Sequence, residues 1–136
     1  MKMFLGEYKP NITDGNRIAL PKKLREQVVG DEVVLSKGFE ACVFVYDKQD
    51  WEKEWNKQIE NSITDAKTRQ LKRYVFSGAV DVSLDEQGRL VLPQSLKDYA
   101  KLTKEVVVIG AGDHAEFWDK ELWELHLEKI SRELSS

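Results

Sequence analysis

Cysteine occurs once in this 136-residue chain, at Cys42, so no internal disulfide can staple the fold, and the usage fits a reducing compartment. Long hydrophobic runs are missing as well. Of the residues, 41% are apolar and 33% charged, and no stretch approaches the roughly 20 apolar residues that span a bilayer as a helix. Met1-Lys2-Met3-Phe4-Leu5-Gly6 runs straight into charged residues, which leaves no apolar core for a signal peptide. There are only two histidines, and neither Asp113-His114 nor His126 comes with Cys or carboxylates at ligand spacing. They read as surface residues, and no metal or cofactor is expected. A Gly-rich phosphate loop and a Gly-x-Ser-x-Gly elbow are both lacking, so an enzyme reading has no residue to start from. The expectation is a cytoplasmic protein with no membrane partner.

An excess of positive charge is also lacking: the net charge is −3, which a nucleic-acid binder must offset by segregating its charges. They are segregated. Residues 1–25 carry Lys2, Lys9, Arg17, Lys22, Lys23 and Arg25 against Glu7 and Asp14 alone, whereas residues 113–136 carry seven acids against three basic residues. This asymmetry predicts a basic N-terminal face and an acidic C-terminal one.

What the chain does contain is an internal repeat. Displacing the sequence by 72 residues without a gap pairs Phe4 with Phe76, Gly6 with Gly78, Arg17 with Arg89, Leu20-Pro21 with Leu92-Pro93 and Leu24 with Leu96. Val34 then meets Val106, Gly38 meets Gly110, Asp47-Lys48 meets Asp119-Lys120 and Trp51-Glu52 meets Trp123-Glu124. Twelve identities in the 49 positions from 4 to 52 make duplication the economical explanation. Two copies of so long a period do not make a solenoid, which needs about three or more. The expected organisation is a first repeat over 1–61, a linker helix over 62–75 and a second repeat over 76–136.

Each copy reads as strand, tight turn, strand, short helix, strand, turn, strand, long helix. Phe4–Tyr8 and Val80–Leu84 are the first strands; Arg17–Leu20 and Arg89–Leu92, rich in β-formers, are the second. Pro21 and Pro93 open short helices over Lys22–Val28 and Gln94–Ala100, because proline's missing N–H has no partner in a first helical turn anyway. Val33–Ser36 with Cys42–Tyr46, and Glu105–Ile109 with Ala115–Trp118, form hairpins in which Gly38 and Gly110-Ala111-Gly112 supply positive φ. Cys42 falls in an apolar strand and is a core residue. Asp47 and Asp119 are the expected N-caps of the long helices. Trp51, Trp55 and Ile59, and Trp123, Leu127, Ile130 and Leu134, recur at helical spacing and predict core-facing stripes, with Trp51 and Trp123 as buried equivalents. The linker helix is expected to start near Ser62 or Thr64 and to turn Leu71 and Val75 inward.

The turn between the first two strands carries the chemistry. A short acidic or hydroxylic residue, Asp85 or Thr13, closes it; Gly88 or Asn16 takes the left-handed backbone; and the next side chain, Arg89 or Arg17, is thrown outward. Arginine there is suited to bidentate bonds with guanine edges or phosphate. It can equally pair with a nearby carboxylate such as Asp85. Lys22, Lys23 and Arg25 on the following helix are either phosphate contacts or a solvated face.

Asp85-Glu86-Gln87-Gly88-Arg89, followed by Leu90-Val91-Leu92-Pro93, is similar to the signature of the AbrB/MazE-like swapped-hairpin superfamily. In duplicate, and with Met3–Tyr8, Phe76–Ala79, Val107–Gly112 and Trp118–Glu121, the chain resembles the MraZ family over nearly its whole length. That resemblance implies an α+β fold in which two pseudo-symmetric AbrB-like swapped-hairpin repeats form a β-barrel with flanking helices. It implies a cytoplasmic, nucleoid-associated regulator that assembles into a homo-oligomeric ring. Its partner would be double-stranded DNA, in tandem boxes upstream of its own division and cell-wall gene cluster. The family's Asp-x-x-x-Arg DNA motif is matched in full by Asp85 and Arg89, whereas in the first repeat only Arg17 matches, Thr13 standing for the Asp and Asn16 for the Gly. A different class of function, a protein-interaction module of antitoxin or ring-scaffold type, would need a flexible C-terminal tail or an enzyme held on the acidic face. The patterned Lys120–Leu134 segment reads as a helix rather than such a tail.

Overall fold

The computed structural model describes residues 2–59 and 64–136, with the backbone alone for Gln58 and Ile59. The expected stripe position Ile59 and the expected helix start Ser62 therefore lie outside the described residues. Among the described residues thirteen elements follow in order. The first repeat supplies β1 (Glu7–Tyr8), β2 (Arg17–Ala19), α1 (Lys22–Arg25), β3 (Glu32–Lys37), β4 (Val43–Asp47) and α2 (Lys48–Ile59). Then come α3 (Ala66–Ser77), β5 (Val80–Ser83), β6 (Arg89–Val91), α4 (Gln94–Tyr99), β7 (Val106–Gly110), β8 (Ala115–Asp119) and α5 (Lys120–Ser135). Among the described residues no helix is long and apolar enough to cross a membrane.

The two repeats are interleaved. A six-stranded antiparallel sheet runs β1-β7-β8-β4-β3-β5, so the first strand of each repeat hydrogen-bonds to the third strand of the other. β2 and β6 pair with each other as a separate two-stranded ribbon. In that ribbon Ile18 sits opposite Leu90, and in the sheet Phe44 sits opposite Glu116. Each of these pairs joins residues 72 apart, so both lie on one pseudo-two-fold axis.

The fold is α+β, but the sheet is open rather than a closed barrel: β1 and β5 end it and do not pair with each other. The open side is covered by packing. Ile18, Leu20, Leu90 and Leu92 from the ribbon and its flanks join Val33, Leu35, Val106, Val108 and Phe117 of the sheet in the main core, all essentially inaccessible. On the sheet's other face, α2 and α3 cover Val34, and α5 covers Val107 and Trp118. Trp51 and Trp123 are the buried equivalents expected, at 8% and 9% exposure.

Strand alternation corrects the ungapped repeat alignment. Val33 and Leu35 face the main core, as do Val106 and Val108, whereas Val34 and Val107 are buried on the opposite face, beneath the long helices. The equivalent of Val34 is therefore Val107 and not Val106, since a slip of one residue would turn a strand inside out. The offset is 73 residues in β3 and β7 and returns to 72 in β4 and β8. The four residues between β7 and β8, against five between β3 and β4, absorb the difference.

Several local expectations also change. β1 is short because Gly6 takes φ 104 and breaks the strand after the Phe4–Gly112 bridge. Phe76 does not occupy the place of Phe4: it lies in α3 against Trp51 and Trp55, while Phe4 is in the main core. Helix α3 starts at Ala66, just beyond the Thr64 expected, and is capped by Asp65, which accepts from Lys67 N and Thr68 Oγ1. Asp119 caps α5 as expected, accepting from Leu122 N, but the carboxylate of Asp47 bonds Lys2 instead. Gly38 needs no positive φ; a Cβ there would sit 2.3 Å from Cys42 Sγ, so it is required for space. Cys42 is buried, as expected, immediately before β4.

Candidate nucleic-acid interface

Burial of Ile18 and Leu90 decides what the ribbon shows to solvent. Side chains alternate along a strand, so the flanking pairs Arg17–Val91 and Ala19–Arg89 face outward. Val91 is 52% exposed. The two arginines are diagonal neighbours on this face, a relation that in antiparallel ribbons corresponds to roughly 7–8 Å. With Asn11, Thr13, Asp14 and Lys104 they line one open cleft of about 720 Å³.

The two turns solve the same problem with different residues. In the second, Asp85 Oδ1 accepts from the backbone N–H of Gln87 (2.9 Å) and Arg89 (2.8 Å). Asp85 Oδ2 accepts from Arg89 Nε at 3.0 Å. These bonds, the one from the Arg89 backbone first, hold the Asp85 carboxyl below the usual carboxylate range. Asp85 thus closes the turn and aims Arg89. In the first turn Gly15 and Asn16 take φ 77 and 57 in succession, and Gly88 alone takes φ 76 in the second. Thr13 N donates to Arg17 O at 2.8 Å, and its hydroxyl donates to the same oxygen at 3.3 Å. Among the described residues Arg17 has no carboxylate comparable to Asp85: its Nη1 donates to the Asp14 carbonyl at 3.2 Å.

Each turn is braced by the short helix of the other repeat. The Arg25 guanidinium lies over Gly88 so closely that a Cβ there would be 2.2 Å from Arg25 Nη1. Its counterpart Lys97 donates to Asn16 Oδ1 at 3.1 Å, and Asn16 Nδ2 donates to Gln94 Oε1 at 3.1 Å. Leu20 N donates to Gly88 O and Leu92 N to Asn16 O, at 2.9 and 2.8 Å, an exchange that repeats across the pseudo-axis. Arg25 is therefore a brace for the second turn. Lys22 and Lys23 are exposed; Lys23 lines a separate hollow with Met3, Leu5 and Tyr8, away from the arginine cleft. Lys104 escaped the sequence reading, although the spacing Lys97, Lys101, Lys104 beside an otherwise acidic half was its signal.

The arrangement offers cationic and hydrogen-bonding groups. Burial pushes the Cys42 thiol well up, away from the reactive thiolate. His114 is not the surface residue expected. It stacks on Tyr46 at 4.9 Å, packs edge-on to Phe44, and bonds Asp113 Oδ1 (2.6 Å) and Glu116 Oε2 (2.7 Å). Burial opposes its charge, but the bonds to Glu116 and Asp113 outweigh that and raise its pKa above the ordinary value.

The duplication that presents this turn twice is matched by a family model. The antitoxin-like MraZ protein family model fits the chain twice, over residues 3–74 and 75–136. This chain belongs to the MraZ family. Curated relatives named "Transcriptional regulator MraZ" include that of Desulforamulus reducens, 40% identical over 122 residues, or 90% of this chain and 85% of the relative. The protein of Clostridium acetobutylicum is 41% identical over 121 residues (89% and 84%), and that of Heliobacterium modesticaldum 40% over 129 (95% and 90%). MraZ proteins are thus a family of transcriptional regulators in which this chain spans most of its relatives' length.

Proposed function

We propose that this MraZ-family chain is a cytoplasmic, nucleoid-associated regulator that binds duplex DNA sequence-specifically through the outward face of the β2–β6 ribbon. The observation that carries this reading is the convergence of Arg17 and Arg89, from two repeats, on one exposed face and one cleft. A two-stranded ribbon fits the roughly 12 Å major groove, where arginine forms bidentate bonds with guanine and an apolar side chain such as Val91 meets thymine methyls. Asp85, Thr13, Asn16, Gly88 and Arg25 act on DNA indirectly, by fixing the turns, while exposed Lys22 and Lys23 are available to phosphates further along. Two repeats exchanging strands in the manner of an AbrB-like swapped hairpin account for the interleaved sheet.

The targets we propose are tandem boxes upstream of the protein's own division and cell-wall gene cluster, engaged by a ring of copies. Supporting the ring, the distal part of α5 shows Leu127 and Leu134 to solvent at 42% and 82% exposure, while the corresponding side of α2 is covered by α3. Several hairpins engaging one DNA gain avidity of roughly 10² to 10⁴ without new contacts. Footprinting on the upstream region, with Arg17→Ala and Arg89→Ala, tests the site. Each variant should lose specific affinity by about 1–3 kcal/mol while remaining folded. Wild-type affinity in both would refute the assignment, and a stable monomer that binds one box as tightly as three would refute the ring.

A further inference from the structure

The pseudo-axis that relates the two turns does not relate their surroundings. Ile12 N donates to Lys104 O at 2.9 Å, and the equivalent bond in the other half runs from Leu84 N to Asp31 O at 2.7 Å. One residue further along, Glu105 pairs with Lys120 (3.7 Å) and its equivalent Glu32 pairs with Lys48 (2.9 Å), which fixes the correspondence. Lys104 and Asp31 thus occupy the same place on opposite flanks of the ribbon, with opposite charge. Lys9 and Asp81 differ in the same sense. Beside the first turn the cleft gathers Arg17, Arg89 and Lys104 against the single carboxylate of Asp14. Beside the second, the equivalents of Thr13, Asp14 and Lys104 are Asp85, Glu86 and Asp31, three acidic residues, of which Asp85 pairs with Arg89.

We propose that Lys104, at the edge of the cleft that also holds Arg17 and Arg89, binds a phosphodiester of the DNA backbone, with Arg17 lending the donors that a base contact leaves over, and that the ribbon engages backbone on this flank only. The inference rests on the DNA-binding reading above and adds to it a ligand group, a new contact residue and a polarity. Duplex DNA carries one negative charge per about 1.7 Å of axis, so any flank laid against it meets phosphate. The first flank supplies cations for it. Lys104 is exposed and reaches no carboxylate among the described residues, and Arg17, lacking a partner there like Asp85, keeps most of its donors available. On the second flank Arg89 is already held by Asp85, with Glu86 and Asp31 exposed alongside. The copy of the motif that departs from the family pattern is the one that grips the backbone, because replacing Asp by Thr13 removes the competing carboxylate.

The test uses the full chain and anisotropy titrations of a labelled duplex from its upstream region, beside an unrelated duplex of equal length, across about 50–200 mM salt. Neutralising one phosphate contact lowers the slope of log affinity against log salt by about 0.9. Lys104→Gln should lower the slope by that amount per engaged cleft and weaken both duplexes alike, since a backbone contact carries no sequence information. Asp31→Asn should leave the slope unchanged. An unchanged melting temperature in both variants shows that the fold is intact. A wild-type slope in Lys104→Gln, a loss confined to the upstream duplex, or an equal fall of the slope in Asp31→Asn would each overturn the proposal. If Arg17→Ala and Arg89→Ala weaken binding while Lys104→Gln does not, the one-sided cleft alone fails; if neither arginine matters, the DNA-binding reading itself fails.

Discussion

Replacing Gly88 separates two costs that the structure superposes at one position. Gly88 has φ 76, and a Cβ on it would lie 2.2 Å from Arg25 Nη1 and 2.3 Å from Arg25 Cδ. Any side chain therefore forces the Arg25 side chain aside, a cost shared by all substitutions. The backbone cost is not shared: alanine in a left-handed conformation loses roughly 1–2 kcal/mol, while asparagine tolerates it better. Asn16 demonstrates the point, holding φ 57 at the equivalent place in the first turn. Stiffening of the unfolded chain favours both variants by a similar amount, about 0.4–1 kcal/mol, and cancels in their difference. For a chain of this length the unfolding entropy corresponds to about 3–4 °C per kcal/mol. Gly88→Ala should then melt roughly 3 °C or more below Gly88→Asn by circular dichroism, and both below wild type. Equal melting temperatures for the two variants, or an alanine variant more stable than wild type, would show that the left-handed backbone is not what Gly88 provides.

Two further outcomes follow from neighbouring residues. Thr13→Asp gives Arg17 the kind of partner that Arg89 already has, and should weaken DNA binding by up to roughly five-fold, the scale of an exposed ion pair, in the same anisotropy assay. Tighter binding would contradict the role given to Thr13. The raised pKa of His114 makes its contribution to stability complete below the unfolded value of about 6.5 and lost as pH rises through the folded value. Denaturant midpoints between pH 5.5 and 8 should fall with pH in wild type and do so less in His114→Gln; identical profiles would show that Asp113 and Glu116 do not hold the proton.

Much of the local structure was legible because local chemistry dictates it. Asn16 and Gly88 declare their left-handed turns, Pro21 and Pro93 precede their helices, and Trp51 and Trp123 are buried as their spacing indicates. The rest of the α5 stripe is not core-facing: Leu127 and Leu134 are exposed, because among the described residues no element packs over the distal part of that helix. The hairpins of β3 with β4 and of β7 with β8 were legible too, but the partners of the first strand of each repeat were not. Glu7 pairs with Ile109 across most of the chain, and no local propensity encodes such a pairing. The one-residue slip in β3 and β7 was hidden because Val33-Val34-Leu35 and Val106-Val107-Val108 are apolar on both faces and fit either register. Within the site, the arginines and their turns stood out through repetition. Lys104 did not, because its partner position holds Asp31, and a comparison of repeats that seeks likeness passes over a reversal of charge. The burial of His114 depended on Tyr46 and Phe44 reaching it from another strand.

The Ile18–Leu90 and Phe44–Glu116 pairs on the pseudo-axis set this chain apart from an assembly of two identical single repeats. In such a homodimer each of those residues would face its own copy, so a glutamate in place of Phe44 would meet a second glutamate. Every lysine on one flank would also be a lysine on the other. A symmetric reader of that kind is bound to a symmetric target, since neither direction along the duplex differs from the other. Joining both copies in one polypeptide lifts that obligation residue by residue: phenylalanine can meet glutamate, and lysine can stand across from aspartate. Covalent fusion thereby gives the ribbon a head and a tail and, under the proposed DNA reading, the means to tell one direction of the duplex from the reverse.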